Sequence, residues 1–100
     1  MKISVTKRAN HDFLRIQDYL LTNWGDSSVL KFKNQVNDFL DILEIFPEIG
    51  TLEVTEKNVR GFQVKSHIRT FYTIKSDSLV ILSFLNILQN PQKKNLGGKN

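Results

Sequence analysis

The chain has 100 residues, 40% hydrophobic and 24% charged, and carries a net charge of +4. That is enough for one domain with a single core, and the basic balance favours acidic partners, either nucleic acid or an acidic protein. The absence of cysteine excludes disulfides, thiolate nucleophiles and cysteine-held metals. No stretch approaches a membrane-spanning apolar run, and the N-terminus shows no signal-peptide pattern, so a cytoplasmic location away from membranes is expected.

Lys2 to Val5 reads as a short strand. Thr6 can cap a helix, because its hydroxyl can accept a free amide hydrogen of the first turn. Ala9, Phe13, Ile16, Leu20 and Trp24 then recur as one apolar helical stripe, with Trp24 expected to plug the core. Gly25 suits the end of that helix. A second helix follows, capped by Asp26, Ser27 or Ser28. Its stripe is Val29, Phe32, Val36, Phe39, Leu40, Leu43 and Phe46, and Pro47 stops it. The short link makes the helices an antiparallel hairpin.

Pro47 to Asn58 reads as a loop. Val59–Val64, Arg69–Lys75 and Leu79–Leu88 read as strands, with a tight turn at 76–78. The expected fold is therefore α+β, in the order β-α-α-β-β-β. An N-terminal strand and a helical hairpin would pack on one face of a mainly antiparallel sheet of about four strands. One domain is expected over 1–92, with a flexible basic tail over 93–100.

Eight of the ten residues from Leu79 to Leu88 are apolar. A strand with one wet face would alternate, so this strand is expected to be internal and covered on both faces. On the preceding strand, alternation places Thr70, Tyr72 and Ile74 toward the helices. Arg69, Phe71 and Thr73 then share the open face. An apolar and a basic side chain together there point to a partner that brings its own cover. Arg69 also has a structural alternative, a salt bridge to Glu53 or Glu56.

His11 and His67 show no paired metal-ligand spacing, so neither a metal nor a cofactor is expected. Asp12, Asp18, Asp38 and Asp41 read as the wet faces of the helices. No nucleophile elbow, phosphate loop or dinucleotide fingerprint is present.

The ordered set "ANHDFLRIQDYLLTNWG" at 9–25, "FPEIG" at 46–50, "HIRTFYTI" at 67–74 and "VILSFLNILQNP" at 80–91 resembles the RelE/ParE superfamily of type II toxin–antitoxin toxins. Its details look most like the ParE-like, plasmid-stabilisation branch. The resemblance implies a toxin that arrests growth by binding a cellular target such as DNA gyrase. It also implies a cognate antitoxin, expected to be acidic, in a hetero-oligomer with the toxin. Antitoxin contacts would fall on Arg69, Phe71 and Thr73. The alternative is a RelE-like, metal-free endoribonuclease acting on mRNA at the ribosome, with Arg60, Lys65 and Arg69 as a phosphate clamp. Two departures weigh against it. RNA-cutting members carry an arginine where Leu88 stands, and the tail "KKNLGGKN" has neither histidine nor tyrosine.

Overall fold

A computed structural model of the chain describes residues 1–89, so the tail expected at 93–100 lies outside the described residues. The elements are β1 (Lys2–Val5), α1 (Lys7–Trp24), α2 (Asp26–Ile45), β2 (Thr51–Val54), β3 (Val59–Lys65), β4 (Ile68–Lys75) and β5 (Ser78–Asn86). They form one sheet in the order β1-β5-β4-β3-β2. The pairing of β1 with β5 is parallel, and all other pairings are antiparallel. The fold is the expected α+β arrangement with one strand more, because β2 lies in the segment expected to be loop. Every residue of β2 is exposed. An edge strand wet on both faces leaves no alternation to read.

Helix α1 starts as its sequence requires, with the Thr6 hydroxyl accepting the Ala9 N–H at 3.0 Å. It ends at Gly25, whose φ of 88° favours glycine. The expected side-chain cap on α2 is absent: Gly25 itself occupies the cap position, and Asp26 lies in the first turn. There its carboxylate complements the positive end of the helix dipole.

Both helices cover the same face of the sheet. Phe39 of α2 stacks on Phe62 with centroids 4.6 Å apart and meets Tyr72 edge-on at 5.9 Å. Phe13 of α1 stacks on Phe32 of α2 and meets Phe84 of β5. Ala9, Ile16, Leu20, Phe32, Leu43, Leu79 and Ile81 complete this core. Each large side chain buried here contributes about 1.5–3 kcal/mol. Trp24 does not join them. It is 58% exposed and stands at the end of α1, lining a small cavity with Lys65, Ile68 and Leu88 rather than closing the core.

The apolar run at 79–88 has a specific explanation. β5 is internal, between β1 and β4, and ends at Asn86 rather than Leu88. Opposite Phe71 and Tyr72 stand Ser83 and Ile81, so Leu82 is an extra residue in β5. This bulge switches the inward set from Leu79 and Ile81 to Phe84 and Asn86. The bulge leaves backbone groups outside the ladder, and α1 satisfies them. The Thr6 hydroxyl donates to the Leu82 carbonyl at 2.9 Å, and the Phe84 N–H donates to the Asp12 carboxylate at 3.1 Å. Asp12 is thus not a wet-face residue: its side chain is 12% exposed and also pairs with Arg8 at 3.4 Å.

Candidate partner-binding site

No helix among the described residues lies over the second face of the sheet. At its centre, Arg69 and Phe71 of β4 pair with Gln63 and Gly61 of β3 on one side and with Leu85 and Ser83 of β5 on the other. The Arg69 guanidinium also lies 5.9 Å from the centroid of the Phe71 ring, within cation–π range. Phe71 is half-buried, as are Val80 and Leu85 on the same face. This is the mixed basic and apolar surface the alternation implied.

Arg69 has a partner within the chain. Its Nη2 donates to Glu53 Oε2 of β2 at 2.6 Å. The pair spans β3 because residue 61 is glycine. A Cβ there would lie 2.6 Å from Arg69 Nη2 and 2.7 Å from Glu53 Oε2. Of the two acids considered as partners, the fold selects Glu53. The side chains of Arg69 and Glu53 keep 29% and 34% of their exposure, so a competing anion can reach the pair.

Thr73 differs from its neighbours on this face. It is 6% exposed, and its hydroxyl donates to the Asn58 carbonyl at 2.9 Å. It supports the turn between β2 and β3 and offers a partner little surface. Sequence alternation assigned its face correctly but could not show that the turn folds over it.

The structure does not bring Arg60, Lys65 and Arg69 together. Arg60 pairs with Tyr72 and so points to the helix side, where its Nη1 donates to the carbonyls of Gly50 at 2.8 Å and Glu48 at 3.2 Å. Its Nε is buried without a partner among the described residues. Lys65 lies five residues further along β3, roughly 16 Å away at strand rise. It lines a small cavity with Tyr19, Trp24, His67 and Leu88. Leu88 thus sits beside Lys65 on the helix side, and no convergent phosphate clamp forms. His11 is exposed on α1, and no group of acidic and histidine side chains among the described residues could hold a metal ion.

Arg60 instead helps fasten the 46–50 segment, and Tyr72 completes the fastening. The Tyr72 hydroxyl donates to the Pro47 carbonyl at 2.8 Å and accepts the Gly50 N–H at 2.9 Å. Burial raises its pKa above the usual tyrosine value, and the Gly50 N–H and the Arg60 charge offset part of that rise. Gly50 is needed for the close approach, since a Cβ would meet the Tyr72 hydroxyl at 2.8 Å and the Gly61 carbonyl at 2.9 Å. Held in this way, Ile45, Phe46 and Ile49 stay exposed at 71%, 62% and 43%. This anchor was missed in the sequence. The signal was a tyrosine on the inward face of a strand, where its hydroxyl must find a partner.

The family profile described as the ParE toxin of type II toxin–antitoxin system, parDE, matches residues 3–92. The chain belongs to the ParE toxin family. The fold is similar to a chain of the chromosomal ParDE toxin–antitoxin system from P. aeruginosa, with a TM-score of 0.63 at 18% identity over 86% of this chain and 95% of that one. It is also similar to a YoeB/ParE toxin from Agrobacterium tumefaciens, with a TM-score of 0.63 at 13% identity over 86% and 98% of the two chains. A copper-bound mutant toxin from Helicobacter pylori is similar as well, with a TM-score of 0.59 at 21% identity over 89% and 97%. No curated protein matches the chain. At these identities the structural likenesses speak to the fold, and membership rests on the profile. Arg69 and Phe71 lie on the open face of the sheet, and Arg60 and Lys65 on its other side.

Proposed function

We propose that this ParE-family toxin arrests bacterial growth by binding a cytoplasmic target such as DNA gyrase, and that a small acidic antitoxin neutralises it in a hetero-oligomeric complex. The observation that carries this reading is the placement of the cations. Arg60 is bonded to loop carbonyls, Lys65 lies at a separate cavity, and Arg69 is paired with Glu53. Cleavage of RNA would need cations gathered around one phosphate and a positioned acid and base.

In this reading the antitoxin contact falls on the open face at Arg69 and Phe71, with Thr73 beside them offering little surface. A disordered acidic segment can wrap a large surface and order only on binding. Its carboxylates would compete with Glu53 for Arg69, and its apolar groups would cover Phe71. The +4 charge of the chain supports attraction to such a segment.

The second reading, an endoribonuclease acting at the ribosome, keeps one supporting observation: Arg69 stands on an open face within reach of a phosphate. Induction of the chain in bacteria, followed by both the DNA-damage response and ribosome-bound mRNA cleavage, separates the two. The proposal expects DNA damage with intact messengers. Site-specific messenger cleavage that disappears in Arg69→Ala would replace it with the second reading.

A further inference from the structure

The cavity beside Lys65 lies away from the Arg69–Phe71 face. It has a volume of about 140 Å³ and sits between the end of α1, the β3–β4 turn and the end of β5. Leu20 and Ile68 are buried at its floor, while Trp24 and Leu88 stand at its rim with 58% and 49% of their surface exposed. The Trp24 ring is steadied by Tyr19, with centroids 5.7 Å apart. An apolar cavity of about 150 Å³ is the size that takes one benzene ring. Large, exposed aromatic and aliphatic side chains around a ring-sized apolar hollow are the form of a hot-spot pocket, which a single anchor side chain fills.

The lysine at the rim selects the rest of the ligand. Lys65 and His67 line the cavity, and no acidic residue among the described residues does. A nucleobase would bring polar edges into walls that offer mainly hydrocarbon, whereas a leucine or phenylalanine side chain brings none. We infer that this cavity is a docking pocket for an acidic peptide segment, which inserts one leucine-sized or phenylalanine-sized side chain between Trp24 and Leu88 and sets a neighbouring carboxylate against Lys65. The inference deepens the antitoxin reading, and rests on it for the identity of the partner. The chemistry rests on the cavity alone. It gives the antitoxin a second anchor, on the helix side of the sheet from Phe71.

Trp24 is the only tryptophan of the chain, so its fluorescence reports the pocket directly. The full chain would be titrated with an acetylated and amidated pentapeptide, Asp-Glu-Leu-Glu-Asp, and with the same peptide carrying alanine at the centre. A uridine oligonucleotide serves as the third probe. The leucine peptide is expected to shift Trp24 emission to the blue with saturation, and the alanine peptide to bind about tenfold more weakly. Lys65→Glu should weaken the leucine peptide about fivefold, with the circular dichroism spectrum unchanged. Leu88→Asp, at a position already exposed, should abolish the shift. Equal responses to the two peptides, no saturable response, or a stronger response to the oligonucleotide would overturn the inference. Growth arrest of bacteria expressing the same chain is scored in parallel. Arrest without peptide binding overturns the pocket alone; peptide binding without arrest overturns the toxin reading and leaves the pocket standing.

Discussion

The Glu53 carboxylate reaches across β3, over Gly61, to hold the Arg69 guanidinium at 2.6 Å. The charge at the centre of the open face is therefore occupied from within. An acidic partner meets a neutralised arginine and must displace Glu53 to use it. Glu53→Gln should raise the association rate of the antitoxin and steepen its decline with salt, because a full positive charge is then free. Stopped-flow mixing at two ionic strengths measures both. Stability should change by less than about 1 kcal/mol, since partly exposed ion pairs contribute little. A slower association in the variant would show that Glu53 itself contacts the partner.

Phe71→Ala tests the apolar half of the same face. The expected result is a dissociation rate raised about tenfold with association nearly unchanged, because buried apolar anchors act mainly on residence time. Surface plasmon resonance on the toxin–antitoxin pair resolves the two rates. Unchanged affinity, or no hydrogen-exchange protection of β4 in the complex, would move the interface to the helical hairpin.

Asp12 is a structural residue despite its helical position. Asp12→Ala strands the Phe84 N–H at the β5 bulge and should cost about 1–3 kcal/mol, read from the urea midpoint. Arg8→Ala removes only the exposed partner of the pair and should cost less than about 0.5 kcal/mol. Equal costs for the two would assign the effect to the ion pair instead.

Tyr72→Phe should lower stability by about 1–3 kcal/mol by leaving the Gly50 N–H and Pro47 carbonyl without their partner. It should also change the response to alkali. Burial raises the folded-state pKa of Tyr72 above its unfolded value, so its contribution is complete below the ordinary tyrosine pKa and is lost as pH climbs through the raised one. The native chain should therefore lose stability in that alkaline range, and the variant should lose less. Denaturant melts on either side of the tyrosine range measure this; parallel curves would contradict it.

The helices were legible because their stripes repeat with helical spacing, and the strands β3 to β5 because turns bracket apolar runs. The partition of β4 between two faces followed from alternation alone. What stayed hidden depended on contacts between distant residues. The bulge at Leu82 has no glycine to mark it, and the polar atoms that satisfy it come from Thr6 and Asp12 on another element. Arg60 and Arg69 look alike in sequence, yet strand pairing places Arg60 beside Tyr72 and Arg69 beside Gln63, on opposite faces. Trp24 continues its stripe with the right spacing, but at the end of α1 it meets an open cavity beside Lys65 and Ile68 instead of the packed core.

The parallel pairing of β1 with β5 sets the order in which this protein can come into being. Among the described residues the strand made first docks on the strand made last, and the Thr6 hydroxyl meets the Leu82 carbonyl across a sequence separation of 76 residues. Such distant pairings close slowly, since the chain between them must be ordered before they stabilise anything. A ribosome that has not yet released β5 holds a helical hairpin with no strand to cover α1, and the β4 face that carries Arg69 and Phe71 lacks its β5 neighbour. The face that carries Arg69 and Phe71 is therefore complete only once β5 has joined β4, so whatever binds it meets a closed sheet.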